Sequence, residues 1–167
     1  MTQDEIEEKN LAAVKEDGDS IEHIENPSEE VQLAAVSGNG CAIQHIKNPS
    51  EAVQLEAVKQ TVYAIAYVKN PSEAIQLAAV TQNGYAIKYI QNPSEEVQLT
   101  AVNKDGNAIF YIKNPSEAVK LAAVNKNGLA IRYIDNPSEE LKLAADAYAI
   151  DYVENPSEAV KLASKNP

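Results

Sequence analysis

A chain of 167 residues with 44% hydrophobic and 23% charged side chains is long enough for one globular domain with a buried core. Its formal net charge of −11 argues against nucleic acid as a partner, because phosphate binding depends on Lys and Arg. No apolar run approaches the ~20 residues that cross a bilayer, and the acidic N-terminus is unlike a secretory signal, so we expect a cytoplasmic protein with no membrane partner.

The negative charge is concentrated at the N-terminal end. Residues 1–30 hold 11 acidic residues against Lys9 and Lys15, a net charge of −9, whereas the other 137 residues carry 14 acidic and 12 basic residues. Two interpretations stay open for this acidic end. It is either a solvated capping unit that keeps an open end soluble or a docking surface for a basic partner.

Seven copies of Asn-Pro-Ser-Glu divide the chain into repeats of 22 residues. A degenerate leading unit lies at about 4–25, a shortened unit at 136–154 and a half unit at 155–167. We therefore predict one domain over 1–167 whose full repeats are 26–47, 48–69, 70–91, 92–113 and 114–135.

Each repeat opens with a predicted helix start, illustrated by residues 70–73. Asn70 suits the N-cap, and Pro71 fits the first helical position and holds Asn70 in an extended conformation. Glu73 then completes a capping box. In the leading unit, Asp4 and Glu7 keep the N-cap and third-position pair.

The first helix of the repeat reads AIQLAAV. Its spacing predicts that Ile75, Ala79 and Val80 are buried and that Gln76 faces water. The helix is predicted to end at an Asn-Gly pair whose Gly84 takes the left-handed conformation. The same conformation is expected of Gly40, Gly106 and Gly128.

A second, shorter helix is predicted over YAIKYIQ, with Ala86, Ile87 and Ile90 buried. Two such short helices cannot bury their apolar faces alone, whereas stacked pairs form a continuous core. The sequence therefore predicts an all-α fold, an α-solenoid of stacked two-helix 22-residue repeats.

The motifs NPSE, QLAAV, NG and AI-x-Y-I resemble those of short α-helical repeats of bacteria and phages. They are similar, at a shorter repeat length, to HEAT and leucine-rich-repeat-variant units. The resemblance covers nearly the whole chain and implies a helical repeat scaffold, encoded by a bacterium or a phage. It brings no catalytic residue with it.

The repeat pattern breaks at two places. Val62 stands where the other units have Gly, and we predict a different turn there, with Val62 packed rather than at positive φ. The shortened unit lacks Asn-Gly altogether. Its two helices either fuse into one from about Pro137 to Glu154 or meet at a kink at Asp146.

No catalytic or cofactor motif is present in the sequence, so we predict a protein that is not an enzyme and has no cofactor. His23 and His45 occupy one column in adjacent repeats and, with Glu22, could suggest a metal pair. The same column holds Tyr in the later repeats, so we interpret His as another amphipathic ring and predict no metal site. Cys41 has no evident base beside it.

All eight tyrosines lie in two columns of the second helix. Pairs such as Tyr63 and Tyr67 are four residues apart and are expected to share a helix face. The regular tyrosine column is open to two interpretations, contacts that seal successive layers or part of a recognition surface. The column between the two tyrosine columns is highly varied and contains Phe110, which is typical of a recognition surface rather than a core. The predicted partner-binding residues are Tyr63, Tyr67, Tyr85, Lys88, Tyr89, Phe110, Tyr111, Leu129, Arg132, Tyr133 and Tyr148.

The pattern therefore favours a non-enzymatic scaffold that binds a protein partner, as a monomer or weak homo-oligomer. By analogy with phage proteins, such a binder fits an inhibitor or decoy of a bacterial defence protein. One alternative is a structural protein that assembles through its open repeats. Another is an acidic mimic of nucleic acid, which the confinement of charge to residues 1–30 disfavours.

Overall fold

The structure is a computed structural model that describes residues 1–145, 147–153 and 155–163. All regular elements in these ranges are helical, and α-helices alternate with six-residue 3₁₀ helices. The α-helices are α1 (Gln3–Glu16), α2 (Glu29–Gly38), α3 (Glu51–Gln60), α4 (Glu73–Gln82), α5 (Glu95–Lys104), α6 (Glu117–Lys126), α7 (Glu139–Ala144) and α8 (Glu158–Ala163). The 3₁₀ helices are η1 (Gly18–His23), η2 (Gly40–His45), η3 (Val62–Tyr67), η4 (Gly84–Tyr89), η5 (Gly106–Tyr111), η6 (Gly128–Tyr133) and η7 (Ala147–Tyr152).

The chain forms two compact units. The first comprises Met1–Gln82 and Tyr89–Gln91, and within it α1, α2, α3 and α4 pack in chain order, each against the next. The second comprises Asn83–Lys88 and the described residues from Asn92 onward, and within it α5, α6, α7 and α8 do the same. In both units the 3₁₀ helices join this packing beside the α-helices. The fold is therefore an all-α solenoid of repeated helix pairs, as the sequence predicts.

The predicted core columns are confirmed. Ile75, Ala79 and Val80 are buried on the α-helix of their repeat, and Ile87 and Ile90 are buried on and just after its 3₁₀ helix. Their counterparts in the other full repeats are buried in the same way. Burial of each such Val or Ile side chain contributes roughly 1.5–3 kcal/mol to stability.

The predicted residues of the helix start are wrong by two positions. Ser72, rather than Asn70, caps α4 by accepting a hydrogen bond from the backbone N–H of Ile75, and Glu73 is the first helical residue. Asn70 has a φ of 50°, so it is left-handed rather than extended. Each Asn of the seven NPS segments takes this conformation, with φ between 49° and 52°. Asn is the residue best suited to this role after Gly, because its short polar side chain tolerates the left-handed region.

The leading unit begins with a true capping box, but on different residues from those predicted. Thr2 caps α1 by accepting from the backbone N–H of Glu5, and the Glu5 carboxylate accepts from the backbone N–H of Thr2. Asp4 and Glu7 do not hold these positions. Glu7 instead accepts a hydrogen bond from the Ser28 hydroxyl of the next repeat.

That last contact recurs along the chain as a hydrogen bond between repeats. Ser50 donates to Glu29, Ser72 to Glu51 and Ser116 to Glu95, each at 2.5 Å. The Glu of Asn-Pro-Ser-Glu therefore joins its repeat to the helix cap of the next repeat rather than closing its own capping box. At the C-terminal end Glu139 is bonded to Lys142 and Ser157, and these hydrogen bonds lower the pKa of Glu139.

The predicted left-handed glycines are also wrong, because none of the described glycines has a positive φ. The residue before the glycine is both the C-cap of the α-helix and the N-cap of the 3₁₀ helix. Asn39, for example, is extended, with φ −141° and ψ 102°, and its side chain accepts from the backbone N–H of Cys41. The glycine is needed for a different reason. A β-carbon on Gly84 would lie 2.5 Å from the carbonyl oxygen of Ala101, and one on Gly106 would lie 2.5 Å from that of Ala123.

The prediction that the column of Gln76 faces water is wrong. Gln76 is half-buried, and its amide nitrogen donates to the carbonyl oxygen of Pro71 at 2.9 Å. Gln32, Gln54 and Gln98 make the equivalent bond at 2.8–3.0 Å. In α2, α3, α4 and α5 this side chain satisfies a carbonyl at the entrance to the helix, which explains why the column is polar there although it is partly covered.

The two breaks in the pattern have simple outcomes. Val62 begins η3 after an extended Thr61 (φ −149°, ψ 130°), so the turn is the same as in other repeats and the predicted different turn is wrong. As predicted, Val62 does not adopt a positive φ, and it is half-buried. In the shortened unit α7 ends at Ala144 and Ala145 is extended, with ψ 142°, so the two helices do not fuse. The kink expected at Asp146 lies outside the described residues.

Candidate functional site

An aromatic ladder runs along the 3₁₀ helices of the second unit. Its members are contributed by η4, η5, η6 and η7, and each touches the next. In order of contact they are Tyr85, Tyr111, Phe110, Tyr133, Arg132 and Tyr152.

The contacts in the ladder are edge-to-face ring pairs followed by a stacked cation. The ring centroids of Tyr85 and Tyr111 are 6.0 Å apart, and Phe110 lies 4.9 Å from Tyr111 and 5.2 Å from Tyr133. The guanidinium carbon of Arg132 is 4.8 Å from the centroid of the Tyr133 ring and 5.7 Å from that of Tyr152. Both arrangements are favourable, because the ring faces are negative and the ring edges positive.

Three of the five ladder contacts run between repeats, and the other two join sequence neighbours on one 3₁₀ helix. A 3₁₀ helix has three residues per turn, so positions three apart share a face and positions four apart do not. The expectation that Tyr63 and Tyr67 share a face is therefore wrong, because it assumed an α-helix. Tyr85 instead meets Tyr111, which lies on the 3₁₀ helix of the following repeat.

The centre of the ladder is open to solvent. Phe110 has 61% of its surface exposed, and Tyr111 and Tyr152 are 40% and 52% exposed. Tyr133 is half-buried and Arg132 is exposed. Folding therefore buries only a minor part of Phe110, even though the rings of Tyr111 and Tyr133 contact it.

The first member of the ladder is the most constrained. Tyr85 is half-buried, and its hydroxyl lies near the side chains of Asp105 and Asn107. Burial and the negative charge of Asp105 raise the pKa of Tyr85 above its ordinary value, because both disfavour the phenolate. This environment thus favours the neutral phenol, and only part of the ring faces solvent.

The remaining predicted contact residues belong to both units. Tyr63, Tyr67 and Tyr89 belong to the first unit and are 59%, 47% and 38% exposed. Lys88 is exposed and Leu129 is half-buried in the second unit, and the side chain of Tyr148 lies outside what the structure describes. Tyr152 was not among the predicted contact residues, although its place in the regular tyrosine column was a sufficient signal.

The two histidines do not form a metal site with their neighbours. His45 lies between two carboxylates, 3.9 Å from an oxygen of Asp19 and 4.0 Å from one of Glu22. Across the described residues, no group of three or more His, Cys, Asp or Glu side chains is arranged to hold a metal ion.

Comparisons with known proteins add no relative to this description. The chain matches no protein-family model, no curated protein and no solved structure. In the described part of the chain, none of the helices combines the length and the apolar character required to cross a membrane.

Proposed function

We propose that this chain is a non-enzymatic repeat scaffold that binds a protein partner through the aromatic ladder. The observation that carries the proposal is Phe110, which is 61% exposed at the centre of a continuous row of rings. Aromatic side chains are enriched at protein interfaces, where a few of them supply most of the binding energy. A partner that covers Phe110 would gain this apolar area at little entropic cost, because the neighbouring rings already restrict the side chain.

The resemblance of the repeats to those of bacteria and phages suggests the setting. A small cytoplasmic binder of this kind fits an inhibitor or decoy of a bacterial defence protein. The varied column that contains Lys88, Phe110 and Arg132 supports recognition of one partner rather than packing, because a core column does not accept such different side chains.

The test compares three baits in a bacterial lysate, with the captured proteins measured by quantitative mass spectrometry. The baits are the wild-type chain, Phe110→Ala and, as a control, Glu96→Gln, which changes an exposed residue on α5 in the same unit. We expect a protein that is retained equally by the wild-type and Glu96→Gln baits and lost with Phe110→Ala. When this protein is titrated with each purified bait, the wild-type chain and Glu96→Gln should bind it with equal affinity and Phe110→Ala should bind it more weakly.

Folding is checked separately, because Phe110→Ala should leave the circular dichroism spectrum and the melting temperature nearly unchanged. An identical set of captured proteins on all three baits would overturn the proposal. So would a molar mass that rises with concentration in light scattering and falls with Phe110→Ala, because the ladder would then serve self-assembly.

A further inference from the structure

Arg132 is the one cation in the aromatic ladder. Its guanidinium lies against the rings of Tyr133 and Tyr152, and the side chain is exposed to solvent. Within the described ranges Arg132 forms no ion pair, and none of its N–H groups donates a hydrogen bond to the protein. The ladder therefore presents a positive group that is held in place by rings but has no anionic partner of its own.

The chemistry of this group restricts what it can bind. A guanidinium offers its N–H donors in a planar fork that matches a carboxylate or a phosphate. An arginine side chain usually loses conformational entropy when it binds a ligand. This loss is smaller for Arg132, because stacking on two rings already restricts the side chain. The neighbouring Phe110 and Tyr133 rings provide an apolar surface next to the fork, since their centroids are 5.2 Å apart.

We infer that Arg132 is a receptor for a carboxylate, and that the partner presents an Asp or Glu side chain beside an apolar residue that covers Phe110. This inference rests on the proposed function and names the chemistry of the partner's contact segment. The Arg132 fork takes the carboxylate in a bidentate hydrogen-bonded pair. The apolar residue packs on the exposed ring of Phe110, beside Tyr133.

A protein segment fits this site better than a nucleic acid. The ladder offers one guanidinium without an ion pair to the described residues, and it lies among rings. The same unit also has two exposed acidic residues, Asp135 just after η6 and Asp151 on η7. The chain as a whole has a net charge of −11, which repels a polyanion. Nucleic-acid binding depends on several neutralised phosphates, whereas a single carboxylate needs one fork.

The experiment uses a displayed library of random 12-residue peptides selected on the immobilised full chain. We expect the enriched peptides to share an Asp or Glu within a few residues of an aromatic or aliphatic residue. One enriched peptide and its Gln or Asn counterpart are then synthesised for titration against the purified protein. Loss of the peptide carboxylate should weaken binding to the wild-type chain by roughly tenfold.

The variants identify the residue that receives the carboxylate. Arg132→Gln should lower the affinity of the protein for the acidic peptide by roughly tenfold. The variant should then bind the acidic peptide no better than its amide counterpart. Arg132→Lys should restore only part of the affinity, because an ammonium lacks the planar fork. Lys126→Gln is the matched control, since it removes one exposed positive charge from α6 in the same unit and should leave affinity unchanged.

The outcomes separate this inference from the proposed function. Two results would overturn the inference and leave the ladder as a protein-binding surface. In the first, the enriched peptides depend on Phe110 but carry no Asp or Glu. In the second, the amide form of an enriched peptide binds as well as the acid. Peptides insensitive to both Phe110→Ala and Arg132→Gln, or no enrichment at all, would overturn both. Binding of a 12-nucleotide oligothymidine that is lost with Arg132→Gln would assign the fork to phosphate and also overturn the inference.

Discussion

The carbonyl oxygen of Ala57 lies against the α-carbon of Gly40, so close that a β-carbon on Gly40 could not be accommodated there. The two residues belong to successive repeats, since Gly40 begins η2 and Ala57 lies in the last turn of α3. The Gly40 N–H also donates to the side-chain oxygen of Gln60 at 2.9 Å. This glycine is therefore fixed by the approach of a neighbouring helix and not by its own backbone angles.

Gly40→Ala should destabilise the protein by about 1–3 kcal/mol, because backbone must shift to relieve the overlap. The matched control is Gly38→Ala, two residues earlier, where a β-carbon would meet nothing closer than 4.0 Å. This second change should stabilise α2 by about 0.5–1 kcal/mol, since Ala is the better helix former. Chemical denaturation measures both free energies of unfolding, and equal effects of the two substitutions would contradict the close approach.

A second prediction concerns the left-handed Asn of each repeat. Asn70→Ala should cost about 1–2 kcal/mol, because a β-carbon without a polar side chain is disfavoured at φ 50°. Asn70→Gly should be nearly neutral or slightly stabilising, because Gly adopts this conformation freely. The two free energies of unfolding, measured in urea, give the comparison. A Gly variant that is less stable than the Ala variant would show that the Asn side chain matters more than the backbone angle.

The sequence was sufficient to predict the repeat, the order of its helices and the buried columns. The reason is physical: burial of Ile75, Ala79, Val80 and Ile87 requires apolar side chains at fixed spacing, and that spacing is visible in one chain. The type of the second helix was not visible. Six residues complete only two turns of a 3₁₀ helix, so their apolar spacing does not distinguish it from a short α-helix.

The errors at Asn70 and Gly84 share one cause. Asn and Gly are both common in caps and in left-handed turns, so residue type alone did not say which of them adopts positive φ. The structure assigns the positive φ to Asn70 and a close approach by Ala101 to Gly84. Val62 was the informative exception, because a β-branched residue in the glycine column already indicated that this column does not require positive φ.

The ladder was only partly predictable for a similar reason. The repeats showed which columns are varied and aromatic, although Tyr152 was not among the predicted contact residues. The contacts between them depend on the angle between successive 3₁₀ helices. Tyr111 follows Phe110 in the sequence, but no spacing rule within one helix could predict that Phe110 also contacts Tyr133 of the next repeat.

A third prediction addresses the hydrogen bond that joins Ser116 to Glu95 of the preceding repeat. Ser116→Ala should cost about 1 kcal/mol for the lost cap of α6, where the hydroxyl accepts from Val119 at 3.3 Å. A double-mutant cycle with Glu95→Gln should add a coupling of about 0.5 kcal/mol, because the pair is exposed.

In the control cycle, Ser116→Ala is combined with Glu96→Gln instead of Glu95→Gln. Glu96 is exposed and makes no hydrogen bond or ion pair with the described residues, so Ser116→Ala and Glu96→Gln should act independently. Urea denaturation of the four proteins in each cycle supplies the free energies. Equal coupling in the two cycles would argue against a specific bond between the repeats.

A fourth prediction follows from the environment of the Tyr85 hydroxyl. Burial and the negative charge of Asp105 raise the pKa of Tyr85, so Asp105→Asn should lower it toward the ordinary value of about 10. Because the folded state favours the neutral phenol, the stability from this group is complete below the unfolded pKa and is lost as pH rises through the folded pKa. NMR titration of ring-labelled tyrosine measures the pKa directly. Asp135→Asn, which removes an acid that does not act on Tyr85, should leave the pKa of Tyr85 unchanged, and equal shifts in the two variants would refute the contact with Asp105.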